Sequence, residues 1–453
     1  MSTTFKSINP YSGNVIKEYK AHSGKEIKDI LNTSEETAKS WKKIELSERS
    51  ELIRRVGELL EERKREYGAL ITDEMGKPIS ESIAEIEKCA WLCEFYAVNA
   101  EDFLADELID TEAQESFISY DPLGCILAVM PWNYPFWQVM RFAAPTLTAG
   151  NVGLLKHASN VSGCAMALQE LFMDAGYPEG CFQTLLTDHK VIEDIIANKT
   201  VKAVTLTGST KAGQAIASIA GKNLKKTVLE LGGSNACIVW EDADLDQYID
   251  VMVKARMQNT GQSCIAAKRF IVVEDIYDQF LERFISKIES LKKGDPTDKD
   301  TEIGVMARED LAKELHKQVE ESIKSGAKVA LGNTRDKAFY EPTVLTEVKP
   351  GMTVFDEEIF GPVASVIKAK SREESIELAN NTDFGLGTML FTESVEDASH
   401  LTEDIEDGAF FINELVKSDP RLPFGGTKGS GYGRELSREG ILEFVNKKTV
   451  YIK

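Results

Sequence analysis

From Gly124 onward, short apolar runs alternate with helical stretches, and this alternation constrains the fold more than any other feature of the chain. The runs are Cys125 to Met130, Val152 to Leu155, Val201 to Leu206, Val228 to Leu231, Ala236 to Trp240 and Phe270 to Val273. Such a pattern implies a parallel sheet flanked by helices, so the expected class is α/β. The segment before it has a different texture. Gly24 to Trp41 and Ser47 to Met75 carry helical apolar spacing, and the second is expected to run unbroken to Gly76-Lys77-Pro78. Its charged middle, Glu61 to Glu66, reads as a solvated helix face.

A chain of 453 residues exceeds what one core organises, so at least two domains are expected. There is no Pro-, Gly- or Ser-rich linker, no low-complexity tract and no internal repeat, which leaves the boundaries soft. The seven cysteines, at 89, 93, 125, 164, 181, 237 and 264, are odd in number and sparse; they suggest a reducing compartment and no disulfide framework. The first residues offer no apolar core for a signal peptide, and no long apolar run suggests a membrane span, so the expected location is the cytoplasm. A formal net charge of -21 argues against a nucleic-acid partner. An anionic small molecule would need locally placed cations, which directs attention to Arg141 and Lys156.

Two motifs together suggest acyl-enzyme chemistry. Cys264 closes Gly261-Gln262-Ser263-Cys264, and Glu230-Leu231-Gly232-Gly233 begins 34 positions upstream. The pair supplies a thiol nucleophile and a carboxylate able to activate water, although a lone cysteine is usually a small hydrophobe and a lone glutamate a solvated charge. After the strand-like Ala203 to Leu206 come Thr207-Gly208-Ser209 and a helical stretch. A helix N-terminus there could take a phosphate or could simply be a capped helix, and the standard Gly-x-Gly-x-x-Gly spacing is absent. Cys89 and Cys93 share a helical face without a histidine at ligand spacing, so buried packing is expected and no metal. None of the five histidines is an evident partner for Cys264, and no second cysteine follows it closely enough for a local disulfide switch.

Pro131-Trp132-Asn133-Tyr134-Pro135, Lys156, Thr207-Gly208-Ser209, Glu230 to Gly233, Gly261 to Cys264, Glu357-Glu358-Ile359-Phe360-Gly361-Pro362 and Pro423-Phe424-Gly425-Gly426 stand in an order and spacing that resembles the NAD(P)-dependent aldehyde dehydrogenase superfamily. The resemblance spans nearly the whole chain. It implies a Rossmann-type cofactor-binding domain from residues 1–105 and 121–233, an α/β catalytic domain from 234–427, and a β oligomerisation element from 106–120 and 428–453. A homodimer or homotetramer would follow, with the strand around Phe117 and Ser119 as an edge that a partner subunit covers.

By the same resemblance Cys264 attacks the aldehyde, the Asn133 side chain and the Cys264 N–H hold the oxyanion, and Glu230 is the general base for thioester hydrolysis. Trp132, Lys156, Gly208, Ser209, Leu231, Gly232, Glu358 and Phe360 are the implied cofactor contacts. Ser159 stands where many NAD-preferring members carry a glutamate that binds the adenosine ribose. Serine removes the repulsion of a 2'-phosphate, so NADP is expected to be preferred, with NAD also used. His157 stands where a proline is common.

The segment from Trp132 to Arg141, with Lys156-His157-Ala158 and Asn259 to Gln262, is most similar to the bacterial succinate-semialdehyde dehydrogenase branch. Arg141 would clamp a substrate carboxylate, Trp137 would wall the tunnel, and Ser418, ahead of Arg421, would stand at its mouth. The expected reaction is oxidation of succinate semialdehyde to succinate. The alternatives are another small or carboxylated aldehyde, or transfer of the thioester to coenzyme A, which retention of Glu230 disfavours.

Overall fold

The computed structural model describes residues 4–453. Cys125–Met130 is apolar throughout because both its faces are covered, and it lies at the centre of a six-stranded sheet. Across that sheet the order is Gly431–Tyr432, Lys226–Glu230, Val201–Thr207, Cys125–Met130, Val152–His157 and Phe182–Thr184. All neighbours are parallel except Gly431–Tyr432, which runs antiparallel to Lys226–Glu230. Counted in chain order from Cys125–Met130, this is the doubly wound arrangement, whose direction of winding reverses between Cys125–Met130 and Val201–Thr207. Ligands of such sheets bind at the carboxyl ends of the strands beside that reversal. Trp132 and Asn133 leave one of those ends, and Gly208 and Ser209 leave the other.

A second, seven-stranded sheet has the order Lys328–Leu331, Thr343–Thr346, Val363–Ala369, Arg269–Val273, Ala236–Val239, Thr388–Phe391 and Phe410–Ile412. Only Lys328–Leu331 pairs antiparallel. In Ala236–Val239 the side chains alternate between two cores. Ala236 and Ile238 join one packed face, and Cys237 and Val239 the other. Burial on both faces explains why such strands read as continuous apolar runs instead of alternating ones.

The expected helix over 47–75 is two helices, Leu46–Glu62 and Lys64–Met75, with Arg63 between them at φ -102 and ψ 14. The charged run has no apolar face to hold it against the core, and the Arg63 guanidinium turns out to Asp174 at 2.6 Å. The strand at 117 and 119 is covered on one side along its length and on the other only at Phe117 and Ile118, so Ser119 keeps an open edge. Glu115–Pro122 is the middle of a three-stranded antiparallel sheet, paired residue for residue with Val445–Ile452 and flanked by Glu107–Leu108. The open edges are therefore Val445–Ile452, the two-residue strand and the stretch 119–122 that the latter does not reach. Among the described residues no helix is long and apolar enough to cross a membrane.

Candidate active site

Cys264 is the one cysteine of the seven that is not fully buried. The segment before it is backbone of an uncommon kind. Asn259, Thr260 and Gly261 all lie at positive φ, 55°, 52° and 70°. Such conformations persist only where surroundings hold them. The Asn259 N–H donates to Glu81 Oε2 at 2.7 Å, its Nδ2 donates to the Asn133 carbonyl at 2.8 Å, and Gln262 Oε1 accepts from the Ala307 N–H at 2.9 Å. Glycine is required at 261, because a Cβ there would overlap the Gly361 carbonyl. That contact also brings Glu357 to Pro362, distant in sequence, beside the segment that ends at Cys264.

Asn133 is buried and donates one Nδ2 proton to the Gln262 carbonyl at 3.1 Å. Among the described residues neither its second N–H nor the Cys264 N–H has an acceptor. His157 steadies this segment from below. It is buried and neutral, with its pKa lowered to about 4 by burial, and its Nε2 meets the Pro135 carbonyl at 3.0 Å while Nδ1 accepts from the Ala158 N–H. From the other side Glu85 Oε1 accepts from the Phe136 and Trp137 N–H groups at 2.8 and 2.9 Å, at the start of helix Trp137–Thr148. Lys77 neutralises Glu85 in a fully buried ion pair.

On one side of Cys264 lies a cavity of about 360 Å³, whose wall includes Tyr134, Trp137, Arg141, Ser418 and Phe424. Three of these, Trp137, Arg141 and Ser418, are the expected substrate residues, and they do share one cavity with the thiol. The Arg141 guanidinium is partnered at one end only, and its Nε is buried without an acceptor among the described residues. The guanidinium pairs with Glu435 at 2.9 Å, donates to Gln138 and stacks over the Phe424 ring at 4.7 Å. Arg421 is not at the cavity at all. Its exposed guanidinium folds back on Asp419 at 2.7 Å, because a neighbouring carboxylate outcompetes a distant wall.

On the other side of Cys264 lie the glycines of the Glu230 tetrad. A Cβ on Gly232 would overlap Glu358 Oε2, and one on Gly233 would stand 2.9 Å from the Cys264 carbonyl. Glu358 accepts from the Gly233 N–H at 3.0 Å, and Phe360 meets Trp132 edge to face at 5.7 Å. Lys268 joins the two sides. It is buried, donates to the Ser263 carbonyl at 2.8 Å and to the Cys264 carbonyl, and stands 3.5 Å from Glu358 Oε1.

Glu230 ends the strand Lys226–Glu230, and both its carboxyl oxygens are buried without a hydrogen-bond partner. Burial, with Glu435 next in weight, pushes its pKa well up, against the pull of Arg141 and Arg434. It stands behind the cavity wall, near Gly425, and not in the wall itself. Burial also raises the Cys264 thiol, opposed first by Lys268 and then by Arg141.

Lys156 is half-buried near Asp188, and Ser159 is exposed in the turn that follows. Ser209 caps helix Thr210–Lys222 by accepting from the Ala212 N–H at 3.3 Å, yet remains exposed. The Gly208 N–H is already committed to the Glu230 carbonyl at 3.0 Å, so Gly208 offers shape and not a donor. Leu231 donates its N–H to the Ser430 carbonyl at 2.9 Å and packs on the same helix at Gly213.

The sequence reading missed Glu435, Lys268, Glu85 and Lys88. Glu85 and Lys88 share a stripe of helix Ile79–Leu104 with the buried Leu92, and a charge on such a stripe was the available signal. Lys88 lines the cavity and donates to Ser418 Oγ at 2.9 Å.

The family model for the aldehyde dehydrogenase family matches residues 1–450. The chain belongs to the aldehyde dehydrogenase family. Among curated members of the aldehyde dehydrogenase family, it is 51% identical to a probable NADP(+) succinate-semialdehyde dehydrogenase of Synechocystis over 449 residues, 98% of this chain and 99% of that one. A succinate-semialdehyde dehydrogenase (NADP(+)) 1 of Mycobacterium tuberculosis is 46% identical over 452 residues, with 98% and 99% covered. The solved structure of succinic semialdehyde dehydrogenase from Streptococcus pyogenes with NADP+ superimposes with a TM-score of 0.97 at 36% identity, covering 99% of each chain.

Proposed function

We propose that the protein oxidises succinate semialdehyde to succinate, with NADP(+) as the preferred hydride acceptor and NAD(+) as a second. The observation that carries this reading is a single cavity joining the one partly exposed thiol to a cationic wall, in a chain whose net charge is -21. The names of the relatives at 46–51% identity support the same substrate. The thiol rests neutral, because burial outweighs the two cations beside it. As Cys264 Sγ bonds to the aldehyde carbon, the S–H bond breaks with its proton passing to water in the cavity, and the carbonyl π electrons move to the substrate oxygen as an oxyanion. The free N–H of Asn133 and the backbone N–H of Cys264 stabilise that oxyanion, each worth roughly 3 kcal/mol in a dry site.

Hydrolysis of the resulting thioester returns the free thiol. Glu230 is the base that takes the proton of the attacking water, and to do so its carboxyl must ionise and turn toward the cavity. Arg141 and Arg434 favour the ionised form, and burial with Glu435 opposes it. The deacylation rate should therefore rise with pH above the ordinary carboxylate range. Arg141, Trp137 and Ser418 form the substrate wall. Arg141 contributes positive potential there while it remains paired with Glu435.

The residues around the tetrad fit a dinucleotide. The missing Cβ atoms let Glu358 approach Gly232 and the Cys264 carbonyl approach Gly233, which draws that carboxylate to the tetrad, and the exposed Ser209 opens a helix of 13 residues whose positive end suits a phosphate. Trp132, Lys156, Ser159, Leu231, Glu358 and Phe360 would complete the hold, with Gly208 shaping the turn. When bound, NADP(+) accepts the hydride. Residues 1–105 and 121–233 act as the cofactor domain, 234–427 as the catalytic domain, and 106–120 with 428–453 as the oligomerisation element. The protein works as a homodimer or homotetramer in the cytoplasm.

The reading is tested by kcat/KM for succinate semialdehyde against butyraldehyde, equal in chain length but without the distal carboxylate. A strong preference for the acid is expected. Equal values would leave a broader aldehyde dehydrogenase. For the cofactor, Ser159→Glu should shift the NADP to NAD ratio of kcat/KM toward NAD, and an unchanged ratio would remove Ser159 from the argument.

A further inference from the structure

Lys88 is an amine placed where aldehydes pass. It projects from helix Ile79–Leu104 into the cavity that holds the Cys264 thiol, and the oxidation drawn above does not use it. Among the described residues no carboxylate pairs with it, since Glu85 is held by Lys77 and Asp419 by Arg421. Its Nζ donates to Ser418 Oγ at 2.9 Å and lies 4.2 Å from the centre of the Trp137 ring. The other two lysines that line the cavity, Lys254 and Lys417, are exposed, and Lys417 pairs with Glu414 at 2.9 Å. Lys88 is half-buried, has an aromatic ring against it, and faces a second cation, Arg141, on the helix packed beside its own. Partial desolvation and a neighbouring positive charge are what turn a lysine from a solvated cation into a nucleophile.

We propose that Lys88 is a site of reversible covalent modification by aldehydes, forming an imine with a molecule of aldehyde that enters the cavity without bonding to Cys264. The lone pair of the free Nζ bonds to the aldehyde carbon while the carbonyl π electrons move to oxygen, and a proton passes from nitrogen to that oxygen to give a carbinolamine. The C–O bond then breaks as the nitrogen lone pair forms the C=N bond, and the remaining N–H proton leaves with the hydroxyl as water. Amine and aldehyde thus give imine and water, with no change of oxidation state. The adduct stands beside Trp137 and Ser418 in the cavity wall and closes the path to the thiol while it lasts. Excess aldehyde therefore inhibits its own oxidation through Lys88. Any small aldehyde forms the imine, so the identity of the physiological one does not enter.

The free amine is within reach near neutral pH. Burial first, and then Arg141, lower the Lys88 pKa to about 8, against Cys89, Asp419 and Glu85. Glu81, Lys254, Glu414 and Lys417 face the same cavity. A lowered lysine pKa makes the neutral form appear at lower pH than on a surface lysine. Imine formation at Lys88 should rise roughly 20-fold between about pH 6.5 and about pH 8.5 and then level off, whereas ordinary lysines should gain roughly 10-fold per pH unit until about pH 10.

The test traps the adduct. Full-length Cys264→Ser, and wild type without NADP(+), are incubated with succinate semialdehyde and separately with butyraldehyde, reduced with borohydride and mapped by peptide mass spectrometry. Lys88 should carry the reduced adduct of either aldehyde at concentrations that leave Lys254 and Lys417 unlabelled, with the levelling pH profile. In steady-state assays with saturating NADP(+), inhibition by high aldehyde should deepen in wild type from about pH 6.5 to about pH 8.5 and be largely lost in Lys88→Arg, whose guanidinium stays protonated and forms no imine. An unlabelled Lys88 overturns the proposal, and so does inhibition by excess aldehyde that is unchanged in Lys88→Arg. Neither result touches the substrate reading, which the preference between the two aldehydes decides on its own.

Discussion

Lys268 and Cys264 are four positions apart, and the chemistry of the thiol depends on that spacing. Lys268 is buried and its pKa falls to about 8, with burial the larger cause, so its charge is available through the neutral range. It is the strongest influence holding the Cys264 thiol down against burial. Lys268→Met should move the pH midpoint of Cys264 alkylation by iodoacetamide upward and slow turnover at pH 7 more than at pH 9. An unmoved midpoint would reduce Lys268 to a packing residue. The measurement is clean because the other six cysteines are buried. Cys264 and Glu230 were legible in the sequence because each sits in its own short motif. Lys268 was not, since a lysine after a motif looks like any surface lysine until the fold removes its solvent.

Helix Trp137–Thr148 begins where the segment carrying Asn133 ends, and Glu85 takes two of its first N–H groups, which no turn of the helix itself satisfies. Lys77, whose ammonium also lies 3.8 Å from the centre of the Tyr134 ring, balances that carboxylate. Removing one partner of a buried pair leaves the other charge without compensation. Glu85→Ala should lower stability by about 3–5 kcal/mol in urea unfolding and lower kcat as Asn133 loosens. A loss below about 1 kcal/mol would mean that water enters and replaces the carboxylate. At this scale the apolar runs predicted the strands well, since burial on both faces leaves a continuous apolar signature. The break at Arg63 and the central place of Glu115–Pro122 were not legible. One depends on a contact with Asp174, the other on a strand more than 300 residues away.

The two large sheets place their chemistry toward each other across Cys264. The doubly wound sheet brings Asn133, Gly208 and Glu230 from three strand ends, and the second brings Lys268 at the start of Arg269–Val273. Outside them, the three-stranded sheet presents Leu108, Tyr451 and Ile452 with relative exposures of 76%, 55% and 43%. Its open edge at Val445–Ile452 offers unpaired backbone groups and apolar side chains, a surface that a second copy would cover. Light scattering should return at least twice the chain's 50.3 kDa, and a stable monomer at assay concentration would leave that edge without a purpose.

The sequence by itself determined what is local or periodic: an α/β fold with a parallel sheet, and the short motifs around Asn133, Gly208, Glu230 and Cys264 whose order and spacing resemble the family. Those features are set by patterns a few residues long and survive without knowledge of their neighbours. Only the tertiary structure decided which charges are free. It paired one end of the Arg141 guanidinium with Glu435 while leaving its Nε without an acceptor, and it turned Arg421 away to Asp419. The physical reason is that a side chain's charge is fixed by composition, but its partner, its burial and hence its pKa are properties of contacts between segments far apart in the chain.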